Sequence, residues 1–409
     1  MTISTKTSTA ALEGPGSRSK RFWPRELILW LLPLLLIAQI TIWSVFLPQG
    51  GLRGVADFRP FYTGGYMIRT GHRQDLCNYD AQKRFEDALV PVNIDFMLPI
   101  IHLPFEELGF VPLSFFSYRT AYWMFLTLNV GLVVICVRLL SSKMQALSNR
   151  WNWFPPLLFA AFYPISRAAV QGQDSIILLT LFAAALGALD RGNELAAGIL
   201  VGIGVFKFQI AIPILLLFLL WRRWRFCAGF AVSGVSAALI SLWLVGFHGA
   251  REYATTLWAM SVHLRSRGDI VHYGAVPTAM FNLRGLATAL LGSALSGPNL
   301  VIVVLVCSGA ILVAAARRGP SLPLAITAAS LVSHHFLSHD ASILIIPLAA
   351  ALCSQSLWSA AVAASLLIVS FVAVIPQDGY VGAIPLLALF ILTVRSKDEE
   401  TKPWQTPAY

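Results

Sequence analysis

Four polar clusters interrupt an otherwise apolar chain. Asp57 lies in GVADFRPFYTGG with Arg59 and Tyr62 beside it, Gln171, Gln173 and Asp174 crowd VQGQDS, Lys207 sits in VFKFQ, and His334, His335, His339 and Asp340 share SHHFLSHD. A carboxylate can take the proton of an attacking hydroxyl, and cationic side chains can offset the charge of a departing phosphate. Each cluster also has a plainer reading. Asp57 would serve equally as a solvated loop residue or a helix cap, Lys207 as a side chain snorkelling to an interface, and the GQD turn as a means of satisfying backbone groups. The HxxxH spacing of His335 and His339 suits a metal, but no HExxH-type partner accompanies it, and neither a metal nor any other cofactor is expected.

The elements that must position these residues are membrane helices. Of 409 residues, 57% are hydrophobic and 12% charged, where a soluble domain carries about 25% charged residues; the mean hydropathy is +0.70. The net charge of +10 is scattered in short basic clusters between apolar runs, which excludes the aromatic-studded basic patch of a nucleic-acid binder. Five cysteines form no CxxC pair, so neither a disulfide framework nor a thiolate metal site is implied.

Apolar segments begin with 27–47, too long for a cleavable signal core, and continue at about 117–140, 152–170, 174–190, 194–207, 209–221, 226–247, 298–316, 321–333, 341–353, 357–375 and 380–395. The expected fold is therefore an all-α polytopic bundle of about twelve transmembrane helices. Several segments are shorter than the 17–25 residues that cross a bilayer, as expected of broken helices or of helices that stop at a water-filled cavity. A cytoplasmic N-terminus places 17 Lys and Arg against 7 Asp and Glu on the inside and 13 against 13 on the outside, as the positive-inside rule requires. Residues 1–26 and 396–409 are then cytoplasmic tails, and 27–395 form one membrane domain. Two outer loops, 48–116 and 248–297, are too long to be simple connections. The first contains two short helices, 61–70 and 78–89, followed by a re-entrant or interfacial stretch, 96–112, punctuated by prolines.

The order of motifs resembles glycosyltransferase family 87, polytopic enzymes of the C-type (GT-C) superfamily that use polyprenyl-phosphate sugars. ADFRPFYTGGYMIRTGHRQDLCNYD is similar to the family's DFxxFYxAGxxLLxGxxLYD opening, and RTAYWMFLTLNVGLVV to its second-helix LxxxLN pattern. QGQDSIILL through FKFQIAIP to WRRWR is similar to its GQxNxLLL, KxQP and RRRWR series, and SHHFLSHDASILIIPL to its SPHxxDHDxxxLLPL element. Departures are Leu98-Pro99 for a Tyr-Pro-Pro element, with His102 and Pro104 following, Asp174 for an Asn, and Ser338 for the first Asp of DHD; these bear on the acceptor site more than on the chemistry.

The resemblance implies that Asp57 is the catalytic base and that His335 lies at the same site, while Lys207 meets the donor phosphate and Arg59, Tyr62, Gln173, Asp174, His339 and Asp340 line the substrate site. It implies inverting transfer of a hexose, mannose being the family's usual sugar, from a polyprenyl-phosphate donor to a glycolipid or glycan acceptor at the outer face of the cytoplasmic membrane. Two other classes fit the residues: a lipid or solute transporter, for which the halves show no evident repeat, and a surface-polysaccharide polymerase or ligase. The latter would carry a more arginine-rich late loop than Arg251, Arg265, Arg267 and Arg284 supply.

Overall fold

A computed structural model describes residues 24–395, apart from 55, 91–97, 150, 263–275, 296, 355 and 373–377. Most of the basic tail, the 396–409 tail, Phe96 at the head of the proline-punctuated stretch, and Arg265 and Arg267 lie outside the described residues. No strand occurs among the described residues. In chain order the α-helices are α1 (Pro24–Gln49), α2 (Phe58–Arg69), α3 (Tyr79–Leu89), α4 (Tyr118–Ser141), α5 (Phe154–Ala161), α6 (Tyr163–Gln171), α7 (Ser175–Asp190), α8 (Glu194–Ile203), α9 (Phe208–Leu220), α10 (Trp224–Val262), α11 (Leu283–Leu291), α12 (Gly297–Arg318), α13 (Leu322–Val332), α14 (Ile345–Cys353), α15 (Leu357–Val372) and α16 (Ala383–Arg395), with one further turn at Gln145–Ser148.

By length and composition alone, five helical stretches, 30–69, 118–144, 194–220, 224–258 and 297–318, could cross a membrane, although 194–220 is interrupted, and five shorter apolar helices accompany them. This is the pattern of a multi-pass membrane protein, with fewer full-length spans than the twelve expected. The short helices are not frayed long ones. In 152–170, Phe162 is extended (φ −79°, ψ 102°) and Pro164 opens α6, so the run divides into α5 and α6. The break frees a carbonyl at Ala161, and the side chain of Gln39 on α1 donates to it at 2.5 Å. A backbone group released at membrane depth is thus satisfied by a neighbouring helix.

Residues 194–220 also fold back. A continuous helix would put positions 194 and 223 roughly 40 Å apart at 1.5 Å per residue, yet Glu194 Oε1 and Arg223 Nε are 2.6 Å apart. The reversal follows a single three-ten turn, Gly204–Lys207, where Lys207 leaves helical geometry (φ −99°, ψ 62°). The ascending arm packs tightly on α10. A Cβ at Gly198 would lie 2.0 Å from the Phe226 carbonyl oxygen, and one at Gly229 would lie 2.1 Å from that of Leu195. Such close approach is open only to small residues at a membrane helix interface. Lys207 is therefore carried to the tip of a buried hairpin.

The described residues between α1 and α4 form a cap. Two short helices occupy the expected places as α2 and α3, and three-ten turns at Pro104–Phe110 and Pro112–Phe115 follow where a re-entrant or interfacial segment is expected. Phe58 is fully buried among Tyr62, Phe110, Tyr118, Tyr122 and Phe125. The Tyr253 hydroxyl, beyond the Gly246 kink in α10, donates to the Ile101 carbonyl at 3.0 Å. In a background lacking the five native cysteines, Glu194→Cys with Arg223→Cys should be bridged by a short bifunctional thiol reagent; absence of any bridge while other neighbouring pairs react would refute the hairpin.

Candidate functional site

The four clusters meet at one end of the bundle. Asp57 occupies the cap position of α2, but its carboxylate makes no capping hydrogen bond. Instead, Oδ2 accepts from Gln173 Nε2 at 2.9 Å. Gly172 makes this possible: it adopts φ +68°, and a Cβ there would lie 2.6 Å from the Phe58 Cβ, so the α6–α7 turn is pressed directly against the residue next to Asp57. In the same way, Asp174 begins α7 without capping it. These placements remove the plainer readings of Asp57 and of the GQD turn.

Lys207 does not snorkel. Its side chain is 1% exposed, and its Nζ is 2.9 Å from Asp174 Oδ1 and 2.5 Å from Asp340 Oδ1. Asp340 is held further by the Ser175 hydroxyl at 3.2 Å and by the Leu337 amide, which donates to Oδ2 at 2.9 Å. His339 lies between acids: Nε2 is 3.6 Å from Asp340 Oδ1, and Nδ1 is 3.9 Å from Asp57 Oδ2. The hairpin tip, the α6–α7 turn and the α13–α14 connection are thereby joined through one ammonium.

A cleft of about 710 Å³, part of it open to solvent, has Asp57, Pro60, Phe61, Gln173, Lys207, Gln209, His335, His339 and Asp340 in its walls, together with Leu98–His102 and Glu107. The Asp57 side chain is 22% exposed, whereas the groups behind it are nearly sealed. The structure does not bring every expected residue to the cleft. Arg59 is buried against Glu86, with its Nε donating at 2.7 Å, and the Tyr62 hydroxyl donates to the Phe116 carbonyl at 2.8 Å. One helical turn puts Asp57, Pro60 and Phe61 toward the cleft and commits Arg59 and Tyr62 to fixing the cap. Asp174 lies behind the wall, and its place at the surface is taken by Gln173 and Lys207.

Three acidic or basic side chains outside the expected set belong to the same region. His102 Nδ1 is 2.8 Å from Glu106 Oε2 and 3.1 Å from Asp174 Oδ2. Burial works against a charged imidazole here, but Asp174 and Glu106 prevail and lift His102 to about 10. Burial, reinforced by Asp174, pushes Glu106 up to about 8. Glu107, fully buried, is raised well above the carboxylate range by burial and then by Glu106. The i,i+4 spacing of His102 and Glu106 in HLPFEE was the available signal; Gln209, two residues past Lys207, had none.

The family assignment agrees with this geometry. Residues 102–347 match glycosyltransferase family 87; this is more than half of the chain, which therefore belongs to that family and is a glycosyltransferase of the membrane. No curated protein and no solved structure matches the chain.

Removing one partner from a buried charge network leaves the others uncompensated, at about 3–5 kcal/mol. Lys207→Met should therefore lower the thermal unfolding midpoint of the purified protein markedly, and adding Asp340→Asn should recover part of the loss. An unshifted midpoint for Lys207→Met would show that the ammonium is not structural.

Proposed function

We propose that the cleft transfers a hexose, mannose by the family resemblance, from a polyprenyl-phosphate donor to a hydroxyl of a glycolipid or glycan acceptor. The observation carrying this reading is the placement of Asp57. It is a carboxylate oriented by Gln173, partly exposed at the mouth of a cleft whose floor holds Lys207, His335 and His339. In a single displacement the acceptor oxygen bonds to the anomeric carbon while the bond to the phosphate oxygen breaks. The hydroxyl proton goes to Asp57, the polyprenyl phosphate leaves, and attack from the opposite face inverts the anomeric centre.

Roles within the cleft follow from what each residue touches. Gln173 orients the base. His339, within 4 Å of both Asp57 and Asp340, is placed to steady the acid side chains, and His335 lines the cleft where substrate would sit. Lys207 reaches the cleft, but two carboxylates already sit on its ammonium, so it lends a phosphate little net positive charge. Arg59 and Tyr62 act indirectly by holding α2. The apolar flanks of the bundle suit a prenyl chain, and the Lys and Arg excess of the short inner loops supports an active site on the outer face of the cytoplasmic membrane with both termini inside.

Positioned proton transfer is worth about 10² to 10⁴ in rate. Vesicles containing the protein and radiolabelled polyprenyl-phosphate mannose should transfer label to a new lipid or glycan, and Asp57→Asn should lose transfer by that factor while folding normally. An Asp57→Asn protein retaining more than about a tenth of the rate, against the loss expected of a general base, would overturn the assignment. Movement of label across the membrane without bond formation would favour a transporter.

A further inference from the structure

We infer that His102, Glu106 and Asp174 form a binding site for a divalent cation of the Mn²⁺ or Mg²⁺ class, set beside Lys207 at the back of the cleft. One ligand atom from each of the three lies within 4.8 Å of the others. An octahedral shell with bonds of about 2.0–2.1 Å has neighbouring ligands roughly 2.9 Å apart. His102 Nδ1 is 2.8 Å from Glu106 Oε2 and 3.1 Å from Asp174 Oδ2, separations that suit two adjacent edges of such a shell. Nδ1 can donate one hydrogen, and Glu106 and Asp174 also lie within hydrogen-bonding reach of each other, so an ion would take the place of the hydrogens that the three now share.

Unsatisfied groups beside the cluster point the same way. Glu106 is 7% exposed, and its Oε1 has no hydrogen-bond partner among the described residues. Glu107 is 0% exposed, neither of its oxygens has such a partner, and it lines the cleft beside His102. The approach of Glu107 to α2 is open only because residue 64 is glycine, where a Cβ would overlap the Glu107 carboxylate. Asp174 and Asp340 take up the Lys207 ammonium, which leaves Glu106 and Glu107 with no lysine partner of their own among the described residues, and a buried acidic side chain keeps its charge when it is paired or coordinates a metal. The two carboxylates suit a hard ion of the Mn²⁺ or Mg²⁺ class, while the imidazole is a ligand that such a set shares with Fe²⁺ and Zn²⁺.

Asp174 would then bridge two cations, with Oδ1 on the Lys207 ammonium and Oδ2 on the metal. In terms of the proposed reaction, and resting on that reading, the ion would supply, through the His102 side of the cleft, the positive charge that Lys207 has already given to Asp174 and Asp340.

The test uses the full chain in nanodiscs made with zwitterionic lipid, with Mn²⁺ alone as the probe. Electron paramagnetic resonance should show one tight site per chain. Pulsed measurements should show a ¹⁴N modulation from an imidazole ligand that disappears in His102→Gln. Glu106→Gln, which spares the Lys207 pairings, should weaken binding by at least about tenfold, a loss reached even for outer partners of metal sites. Absence of a stoichiometric site, or Mn²⁺ binding unchanged in both variants, would overturn the inference. Asp57→Asn separates the two readings: it should keep the Mn²⁺ signal whether or not Asp57 is the base, so failed transfer chemistry and a failed metal site give different results.

Discussion

An ammonium clamped between two sealed carboxylates organises this protein. Lys207, Asp174 and Asp340 come from a hairpin tip, a helix–helix turn and an irregular connection. Each of these is a place where backbone leaves helical geometry, which is tolerated inside a membrane domain only where protein or a water-filled cavity satisfies it. The salt-bridged centre therefore explains why several helices are short. They end where their polar turns can meet, and the surrounding apolar helices close the remaining faces. Such a network is weak evidence for stability, because desolvation opposes attraction, but it allows one relative placement of three otherwise separate turns.

Around that centre the chain uses two kinds of material. Gly198, Gly202 and Gly229 let α8 and α10 approach backbone to backbone, giving the hairpin a rigid wall without side-chain interlocking. The cap is built from aromatic packing, with the Phe58 and Phe125 rings 5.3 Å apart and the Arg59–Glu86 pair tying α2 to α3. Phe58 couples the two parts. It is buried in the cap, lies against Gly172 of the bundle and immediately follows Asp57. The position of the proposed base is thus determined by hydrophobic packing on one side and by a single amide, that of Gln173, on the other.

Much of this was legible in the residues. Lys207 stood where two short apolar runs meet, and the polar residues of VQGQDS filled a tight turn between two others. Two short helices were expected between the first two long apolar runs, and α2 and α3 lie there. What the chain order concealed was side-chain direction. Arg59 and Tyr62 neighbour Asp57 in sequence, but successive residues on a helix do not share a face, and α2 turns both toward the cap. His102 and Glu106 were half hidden: their i,i+4 spacing pairs them with each other, but only the folded chain shows that His102 lies against Asp174, some seventy positions on. Length and apolarity alone do not confirm twelve membrane helices, because they do not show where a run such as 152–170 divides in two.

On the proposed reading, the arrangement keeps two roles apart within one cleft. A carboxylate that accepts a proton must keep its basicity and reach substrate, whereas one that holds a cation must stay ionised and shielded. Asp57, 22% exposed, stands apart from Asp340, 1% exposed, with the His339 ring between them at 3.9 Å and 3.6 Å. Were Asp57 as close to Lys207 as Asp340 is, it would be tied to the ammonium and withdrawn from the open part of the cleft. Were Asp340 as open as Asp57, water would screen the contact that fixes the hairpin tip. The imidazole between them keeps the carboxylates apart while remaining within reach of both, so the separation of roles depends on His339 as a spacer as much as on either acid.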